Sequence, residues 1–338
     1  MMSQLVKIGV DAMGGDNAPV EIVKGAYMAV EKYGHVEVTL FGLENEIKKH
    51  LPASHNRIKI VHCEDVIGMD VKDPAMAIRR QKDASLVVAC KAVKNKDVDA
   101  LVSSGATGAL IAGATLLVKR LKSVDRPALA PLLPTVKQGA TTILCDAGAT
   151  SESKAAFIYQ NAKLADIYAK NVLGITAPKI GLLNIGTEDA KGGAEQIEAF
   201  ALLKNDSTLN FVGNIESKSM ISGEVDIIAA DGYSGNIALK AVEGTAKDIF
   251  ALLKSEIMAT TKGKIGGLLL KNTFATIKDT INPKTVGGAI LLGINAPVVK
   301  SPGSSDAETF MYAIGHAARA VENDVISKIE QALTVDNV

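Results

Sequence analysis

The chain has 338 residues, 47% of them apolar and 22% charged. That is an ordinary globular balance, which excludes disorder, collagen-like repeats and a disulfide scaffold, and the length suits two lobes or one large α/β unit of interwoven halves. Lys plus Arg and Asp plus Glu are equal at 37 each, and aromatic side chains make up only 4% with no Trp, so neither a net field nor a base-stacking surface favours nucleic acid as a partner.

Met1 to Lys7 has no basic start and no long apolar stretch of the secretory kind, and no apolar run along the chain approaches the roughly 20 residues of a membrane span. A cytosolic protein is the expectation. Short β-branched runs then alternate with amphipathic helix-length stretches, the mark of βαβ units around a mostly parallel sheet. Val6 to Asp11, Val36 to Phe41, Ile58 to Val61, Ala100 to Ser103, Thr142 to Asp146, Ile180 to Asn184, Asn210 to Gly213 and Asp226 to Ala230 read as strands. Their near-continuous apolar character predicts burial on both faces. Val20 to Lys32, Ser85 to Lys94, Leu110 to Lys119, Ser153 to Val172, Ala194 to Lys204 and Asn236 to Lys254 carry apolar residues at helical spacing and are expected to cover the sheet. The class is α/β, with a three-layer α/β/α arrangement.

Residues 254–284 differ from the rest. Gly263, Gly266 and Gly267 interrupt Ile265, Leu268, Leu269, Leu270, Phe274 and Ile277, while Lys254, Lys262, Lys264, Lys271, Lys278 and Lys284 outnumber Glu256 and Asp279. The pattern predicts a protruding, lysine-bordered apolar helical hairpin. Such a hairpin either packs as a helix pair in a dimer interface or lies on an anionic bilayer, where each basic residue near the lipid contributes about 1 kcal/mol. The two roles are compatible if the tips project beyond a dimer.

Glycine and polar residues concentrate where the strands end, the place where ligand loops lie in such sheets. The clusters are Asp11-Ala12-Met13-Gly14-Gly15-Asp16, Ser103-Ser104-Gly105-Ala106-Thr107-Gly108, Asp146-Ala147-Gly148-Ala149-Thr150, Asn184 to Gly192, and Asp231-Gly232-Tyr233-Ser234-Gly235-Asn236. Any one of them alone is a tight βα turn. Together they let backbone N–H groups and helix N-termini converge on an anion, with phosphate the natural candidate. No GxGxxG and no GxxxxGK[ST] occurs, which weakens nicotinamide and ATP readings. HExxH and GxSxG are also absent, so Ser234 reads as a helix N-cap or ligand donor and not as a nucleophile.

The five histidines, His35, His50, His55, His62 and His316, lie outside these clusters and are expected on the surface or at helix ends. The three cysteines, Cys63, Cys90 and Cys145, have no zinc or redox spacing and read as buried thiols in a reducing compartment. A site without histidine suits phosphate, already an anionic nucleophile that needs orientation and desolvation more than deprotonation. Lys191, in a glycine-bounded loop, either neutralises phosphate or a thioester oxyanion or is a solvated lysine restrained by Glu188 and Asp189. Asp11 and Asp16 flank the first turn, one expected to cap the following helix and the other to bind a ligand hydroxyl or orient a cation. Arg79, Arg80 and Lys82, after Pro74, form a basic step that meets phosphate or an acidic protein partner, or is a solvated helix face.

In order along the chain, Val10-Asp11-Ala12-Met13-Gly14-Gly15-Asp16, Asp125-Arg126-Pro127-Ala128-Leu129, Gly181 to Glu188, Lys191-Gly192, and Asp231 to Asn236 with Leu239-Lys240 and Glu243-Gly244 resemble the PlsX family of acyl-carrier-protein:phosphate acyltransferases. The resemblance runs from Lys7 to about Val325. It implies a fold like that of the isocitrate and isopropylmalate dehydrogenases and the phosphotransacetylases, a homodimer with its cleft facing the interface, and peripheral membrane association through the Ile265 to Phe274 segment. It implies attack of phosphate on the acyl thioester of the carrier protein, giving acyl phosphate and free carrier for phospholipid synthesis, with no cofactor and no metal.

On that basis Lys191, Asn236 and Asp231 are expected to carry the chemistry. Asp11, Gly14, Gly15, Asp16, Ser104, Gly105, Thr107, Gly108, Asn184, Gly186, Glu188, Ser234, Gly235 and Lys240 are expected to hold phosphate and substrate. This sequence departs from the family pattern at Ala106 and Thr150, which replace carboxamides, at Pro302 in a His-Gly dipeptide, and at Val286, where a tyrosine precedes paired glycines. Alternatives are a phosphotransacetylase-like enzyme using acyl-coenzyme A, a decarboxylating hydroxyacid dehydrogenase, and a non-catalytic carrier-protein docking module.

Overall fold

The computed structural model describes residues 5–152, 154–280 and 287–335. Val286 and residues 281–284 of the expected hairpin lie outside the described residues. Strand β1 (Val6–Asp11) shows why the chain starts as it does. Val6, Ile8 and Val10 face one core layer, and Gly9 leaves room on the other face for Phe41 and Val98. Helix α1 (Val20–Lys32) follows, burying Ile22, Val23, Ala26, Ala29 and Val30 along one stripe. Then come β2 (Val36–Gly42), α2 (Glu44–Lys48), β3 (Ile58–His62), α3 (Pro74–Arg80), α4 (Ser85–Asn95), β4 (Ala100–Ser103) and α5 (Thr107–Gly113), which runs into a π-helical turn over Ala114–Val118. The chain continues through β5 (Ala128–Pro134), β6 (Thr141–Cys145), α6 (Ala155–Val172), β7 (Lys179–Asn184), α7 (Ala194–Asn205), β8 (Asn210–Glu216) and β9 (Ile227–Ala229). It ends with α8 (Gly232–Ala259), α9 (Thr261–Leu269), α10 (Lys271–Thr280), β10 (Ala289–Leu292), β11 (Val298–Lys300), α11 (Ala307–Glu322) and α12 (Val325–Val335).

All eleven strands form one sheet in the order β3-β2-β1-β4-β11-β10-β5-β6-β9-β7-β8. The first five run parallel to one another, as do the last four, and the antiparallel pairings β11/β10, β10/β5 and β5/β6 join the two half-sheets in the middle. Because β10 and β11 come from the far end of the chain yet sit beside β4, the halves are interwoven. One continuous apolar layer, containing Val23, Ile158, Leu203, Phe310 and Ile329, covers one face of both half-sheets. The opposite face is covered by α3, α4 and α5 over the first half and by the base of α8 over the second.

Sequence patterning misses α2, β5, β10, β11, α11 and α12. It also starts α8 late, at Asn236, where the helix begins at Gly232 under an Asp231 cap. The histidine expectation fails at His316, which is buried within α11. Tyr168 Oη lies 2.6 Å from His316 Nε2, and the other ring nitrogen is 3.1 Å from the Gly287 carbonyl. Burial pushes the His316 pKa down to about 4, so the ring is neutral at pH 7 and serves as a core crosslink. All three cysteines are buried and unpaired.

Beyond its first turns, α8 leaves the sheet and packs chiefly on α9. Ile249, Leu252, Ile265, Leu268 and Leu269 are exposed there, Leu269 at 81%. Among the described residues, no helix is long and apolar enough to cross a membrane.

Candidate active site

Loops from three adjacent strand ends, β1, β4 and β11, build the first cluster. Asp11 is buried at the end of β1, where Ser85 Oγ donates to Oδ1 at 2.6 Å and Ser103 Oγ to Oδ2 at 2.8 Å. The Gly105 N–H in turn donates to Ser103 Oγ at 3.0 Å. Burial raises the Asp11 pKa against these hydrogen bonds, so the group is a brace that ties three loops together. Gly14 packs so tightly on Gly105 that a Cβ would overlap the Asp11 carboxylate and come within 2.8 Å of the Gly105 nitrogen. Gly15 has φ +113°, a conformation that side-chain-bearing residues rarely adopt, and a Cβ there would come within 2.8 Å of Ser104 Cβ. The Asp16 N–H donates to the Gly303 carbonyl at 2.8 Å, which locks the 301–305 loop against the first turn. Neither aspartate caps α1, since Pro19 occupies that position and gives no side-chain cap.

The floor of this cluster holds a residue that sequence patterning did not single out. Lys300, the last residue of β11, is only 9% exposed and donates to the Ser104 and Ser301 carbonyl oxygens. Its pKa is lowered to about 8, first by burial and then by the nearby Lys240 ammonium, while Asp16 and Asp11 pull the other way. Beside it, the fully buried Ser104 hydroxyl has no hydrogen-bond partner among the described residues. Thr107 opens α5, and Gly108 lies under Pro74 of α3.

The second cluster gathers the loops after β6, β7 and β9. Asp146 is buried and accepts from the backbone N–H groups of Leu129, Gly148, Ala149 and Thr150, at 2.9 to 3.1 Å. Burial raises its pKa in spite of these four donors. Asp231 caps α8 by accepting from the Tyr233 and Ser234 N–H groups, so Ser234 is a capped position and not the cap. Gln196 Nε2 donates to Asp231 Oδ2 at 3.3 Å, attaching the base of α7 to the same point. Asn236 projects from the first turn of α8 onto Gly148.

Asn184 serves its own loop: it donates to the Lys191 carbonyl at 2.9 Å and to Asn214 Oδ1 at 3.1 Å, and accepts from the Ile185 N–H. Asn214 completes that brace by donating to the Glu188 carbonyl. Gly186 leaves the space into which Glu188 and Lys191 fold back. The Lys191 ammonium is 47% exposed and sits 3.6 Å from Glu188 Oε1, within its own loop.

The clusters meet at two points. Ala149 packs against the core layer that contains Leu110 of α5, and Lys240, one α8 turn beyond Asn236 in the second half, lies near enough to Lys300 to lower its pKa while its own ammonium pairs with Glu243 Oε2 at 2.7 Å. The two ammonium groups come from different half-sheets over a glycine-lined floor, and an anion between them would relieve their repulsion. The expected residues of the first turn, of Ser104 to Gly108 and of Asp231 to Lys240 are therefore brought together. Those of Asn184 to Lys191 form the flanking wall.

A family model described as "Fatty acid synthesis protein" matches residues 6–328. Phosphate acyltransferase of Streptococcus equi subsp. zooepidemicus (strain H70) is 44% identical over 332 residues, 98% of each chain. Phosphate acyltransferase of Pediococcus pentosaceus is 45% identical over 326 residues, covering 96% of this chain and 93% of that one. Among solved structures, a phosphotransacetylase from Streptococcus pyogenes superposes with TM-score 0.62 at 18% identity over 94% of both chains. A 4-hydroxythreonine-4-phosphate dehydrogenase from Klebsiella pneumoniae superposes with TM-score 0.52 at 12% identity, covering 94% of this chain and 99% of that one. Those two likenesses concern the fold, and they match the expected kinship with phosphotransacetylases and dehydrogenases. With a family model over residues 6–328 and near-complete coverage at 44% to 45% identity, the chain belongs to the phosphate acyltransferase family and is an acyltransferase.

Proposed function

We propose that the cleft binds inorganic phosphate between Lys300 and Lys240 and transfers to it the acyl group of an acyl-carrier-protein thioester. The observation that carries this reading is the buried Lys300 ammonium beside an unpartnered Ser104 hydroxyl on a glycine floor, facing a second lysine. A phosphate oxygen attacks the thioester carbonyl, the C–O bond forms, and the tetrahedral intermediate collapses with loss of the C–S bond. The single proton of hydrogen phosphate passes to the departing thiolate, so the products are acyl phosphate and the carrier thiol. Backbone N–H groups near Gly14, Gly15, Gly105 and Gly108 orient the nucleophile, and Asn236, at the positive end of α8, is placed to donate to the oxyanion. No covalent acyl-enzyme is required.

The test is phosphate-dependent loss of thioester from long-chain acyl-carrier protein, with acyl phosphate trapped by hydroxylamine and acyl-coenzyme A run in parallel. Acyl phosphate formed from the carrier substrate is the expected result. Acyl phosphate from acyl-coenzyme A alone would move the assignment to a phosphotransacetylase-like activity, and none from either substrate would overturn it.

The same reading includes a homodimer and peripheral attachment to an anionic membrane. Support comes from the apolar side chains that α8 and α9 leave exposed, notably Leu268 at 73% and Leu269 at 81%, next to Lys262, Lys264 and Lys271. The double substitution Leu268→Ser, Leu269→Ser is expected to lower co-sedimentation with phosphatidylglycerol vesicles by tenfold or more, since each leucine withdrawn from the bilayer loses on the order of 1 kcal/mol or more. Turnover of a soluble carrier substrate should persist. Unaltered vesicle binding would exclude the α9 tip as the contact.

A further inference from the structure

The basic step that follows Pro74 stands at the rim of the cleft. Helix α3 is seated by two contacts: Pro74 lies on Gly108 at the start of α5, and Ile78, buried at 3%, packs on Gly113 at its end. With Ile78 turned inward, Arg79 and Arg80 occupy the exposed last turn, and Lys82 follows just beyond it, also exposed. The connection to the site is short on the other side as well. Met69, exposed at 42%, lies against Gly303, whose carbonyl holds the Asp16 N–H of the first cluster.

These cations differ from the ion-paired lysines of the surface. Lys24, Lys48, Lys49, Lys59, Lys204, Lys218 and Lys240 each sit within 3.3 Å of a carboxylate oxygen. Among the described residues, the Arg79 and Arg80 side chains have neither a hydrogen bond nor an ion pair. The neighbouring carboxylates are turned elsewhere: Asp73 accepts from the Met76 N–H as the cap of α3, and Asp65 accepts from the Val66 N–H. Helix-dipole compensation accounts for one basic residue in a last turn, at 0.3 to 1 kcal/mol. It does not call for two unpaired guanidinium groups with an exposed Met76 beside them.

We propose that Arg79, Arg80 and Lys82, with Met69 and Met76, form the docking surface for an acidic carrier protein that delivers the thioester into the cleft. This rests on the functional reading above and names where its protein substrate binds. An unpaired arginine fork suits carboxylates of a helix on the partner, and the methionines supply an adaptable apolar contact between the charges. The site lies beyond Gly108, so a thiol arm anchored here enters over the first cluster and meets phosphate from the open side.

The test uses the full chain carrying Arg79→Glu and Arg80→Glu, assayed with long-chain acyl-carrier protein at low and at raised salt. KM for the carrier substrate is expected to rise on the order of tenfold or more at low salt, with kcat at saturation and KM for phosphate unchanged. Affinity of the wild type for unacylated holo-carrier protein should fall with salt, and that of the variant should be weak and salt-insensitive. The pair Arg79→Lys, Arg80→Lys keeps the charge and loses the fork, so it should bind more weakly than wild type yet well above the charge-reversed pair and with wild-type salt dependence, which a loss caused by misfolding would not allow. If the charge-reversed protein binds carrier as the wild type does, or if kcat and phosphate KM change together, the docking surface is elsewhere. Failure of the wild type itself to turn over the carrier thioester would instead overturn the functional reading, a separate outcome seen before any variant is made.

Discussion

Replacing Lys300 by methionine is expected to lower kcat/KM for phosphate by about a hundredfold or more while leaving the protein folded. The figure follows from removing one preorganised charged donor from a water-poor site. Methionine fills much of the lysine stem's volume, and it removes a cation that burial disfavours, so thermal denaturation should show an intact fold. The pH profile is the sharper measurement. With the Lys300 pKa at about 8 in the free protein, the ammonium is the main form at pH 7 and is lost as pH rises through 8. If that charge binds phosphate, kcat/KM falls above pH 8. In the complex the bound anion favours the ammonium, so the same limb in kcat lies at higher pH.

Stability runs the opposite way. A lysine depressed from 10.5 to about 8 binds fewer protons folded than unfolded between those values, so this group makes the protein more stable as pH rises through that window. Loss of activity above pH 8 while the melting temperature contribution of Lys300 improves would separate a catalytic titration from unfolding. An alkaline limb retained in Lys300→Met would assign it to another group. Lys191→Ala offers the contrast: its ammonium is half-exposed and paired with Glu188 inside a loop braced by Asn184 and Asn214, so the expected loss of turnover is smaller, within about tenfold.

What the sequence made legible is what periodicity and turn chemistry encode. Strands β1 to β4 emerge at nearly their observed bounds because each is a short apolar run closed by a polar residue or glycine, at Asp11, Gly42, His62 and Ser103, and α1 at its observed bounds because its apolar stripe repeats every three or four residues. The middle of the sheet did not emerge. Strand β11 has three residues and β10 four, too short to show a period, and β5 is split by Pro131, whose missing N–H argues against a central strand. Lys300 was missed for that reason: without β11 as a strand, a lysine after two valines has no strand end to occupy.

The polar braces are illegible in the sequence for a different cause. Asp11 and Asn184 carry the residue types of a ligand site, but their partners Ser85, Ser103 and Asn214 are brought in from elsewhere in the chain by sheet order, which no local pattern reports. At the start of α8 the pattern alone puts the cap at Ser234 and keeps Asp231 for the chemistry, whereas in the fold Asp231 is the cap, because β9 ends at Ala229 and delivers Asp231 to the residue before the first turn.

Gly235→Ala is expected to destabilise the protein by about 2 to 3 kcal/mol and to cut turnover well beyond what that loss of stability explains. A Cβ at Gly235 would overlap the Asp146 carbonyl oxygen, with the carbonyl carbon 3.1 Å away and Ala230 Cβ at 3.4 Å. The obstacle is backbone, and it is backbone that cannot yield easily: the Asp146 carboxylate is held by four N–H groups and the Asp146 N–H donates to the Ala230 carbonyl at 3.0 Å. The movement must therefore fall on the first turn of α8, which carries Asn236 and, one turn on, Lys240. Both then shift relative to Lys300, and a displacement of about 1 Å at a positioned group is enough for a large rate loss. Gly244→Ala on the same helix is the control, since a Cβ there meets nothing within 4 Å. Alanine at that helical site should be stabilising by up to about 1 kcal/mol. Urea denaturation and acyl phosphate turnover measured on both variants decide the matter. If Gly235→Ala keeps wild-type stability and rate, α8 is not seated on the Asp146 loop, and the convergence of Lys240 with Lys300 across the two half-sheets loses its structural basis.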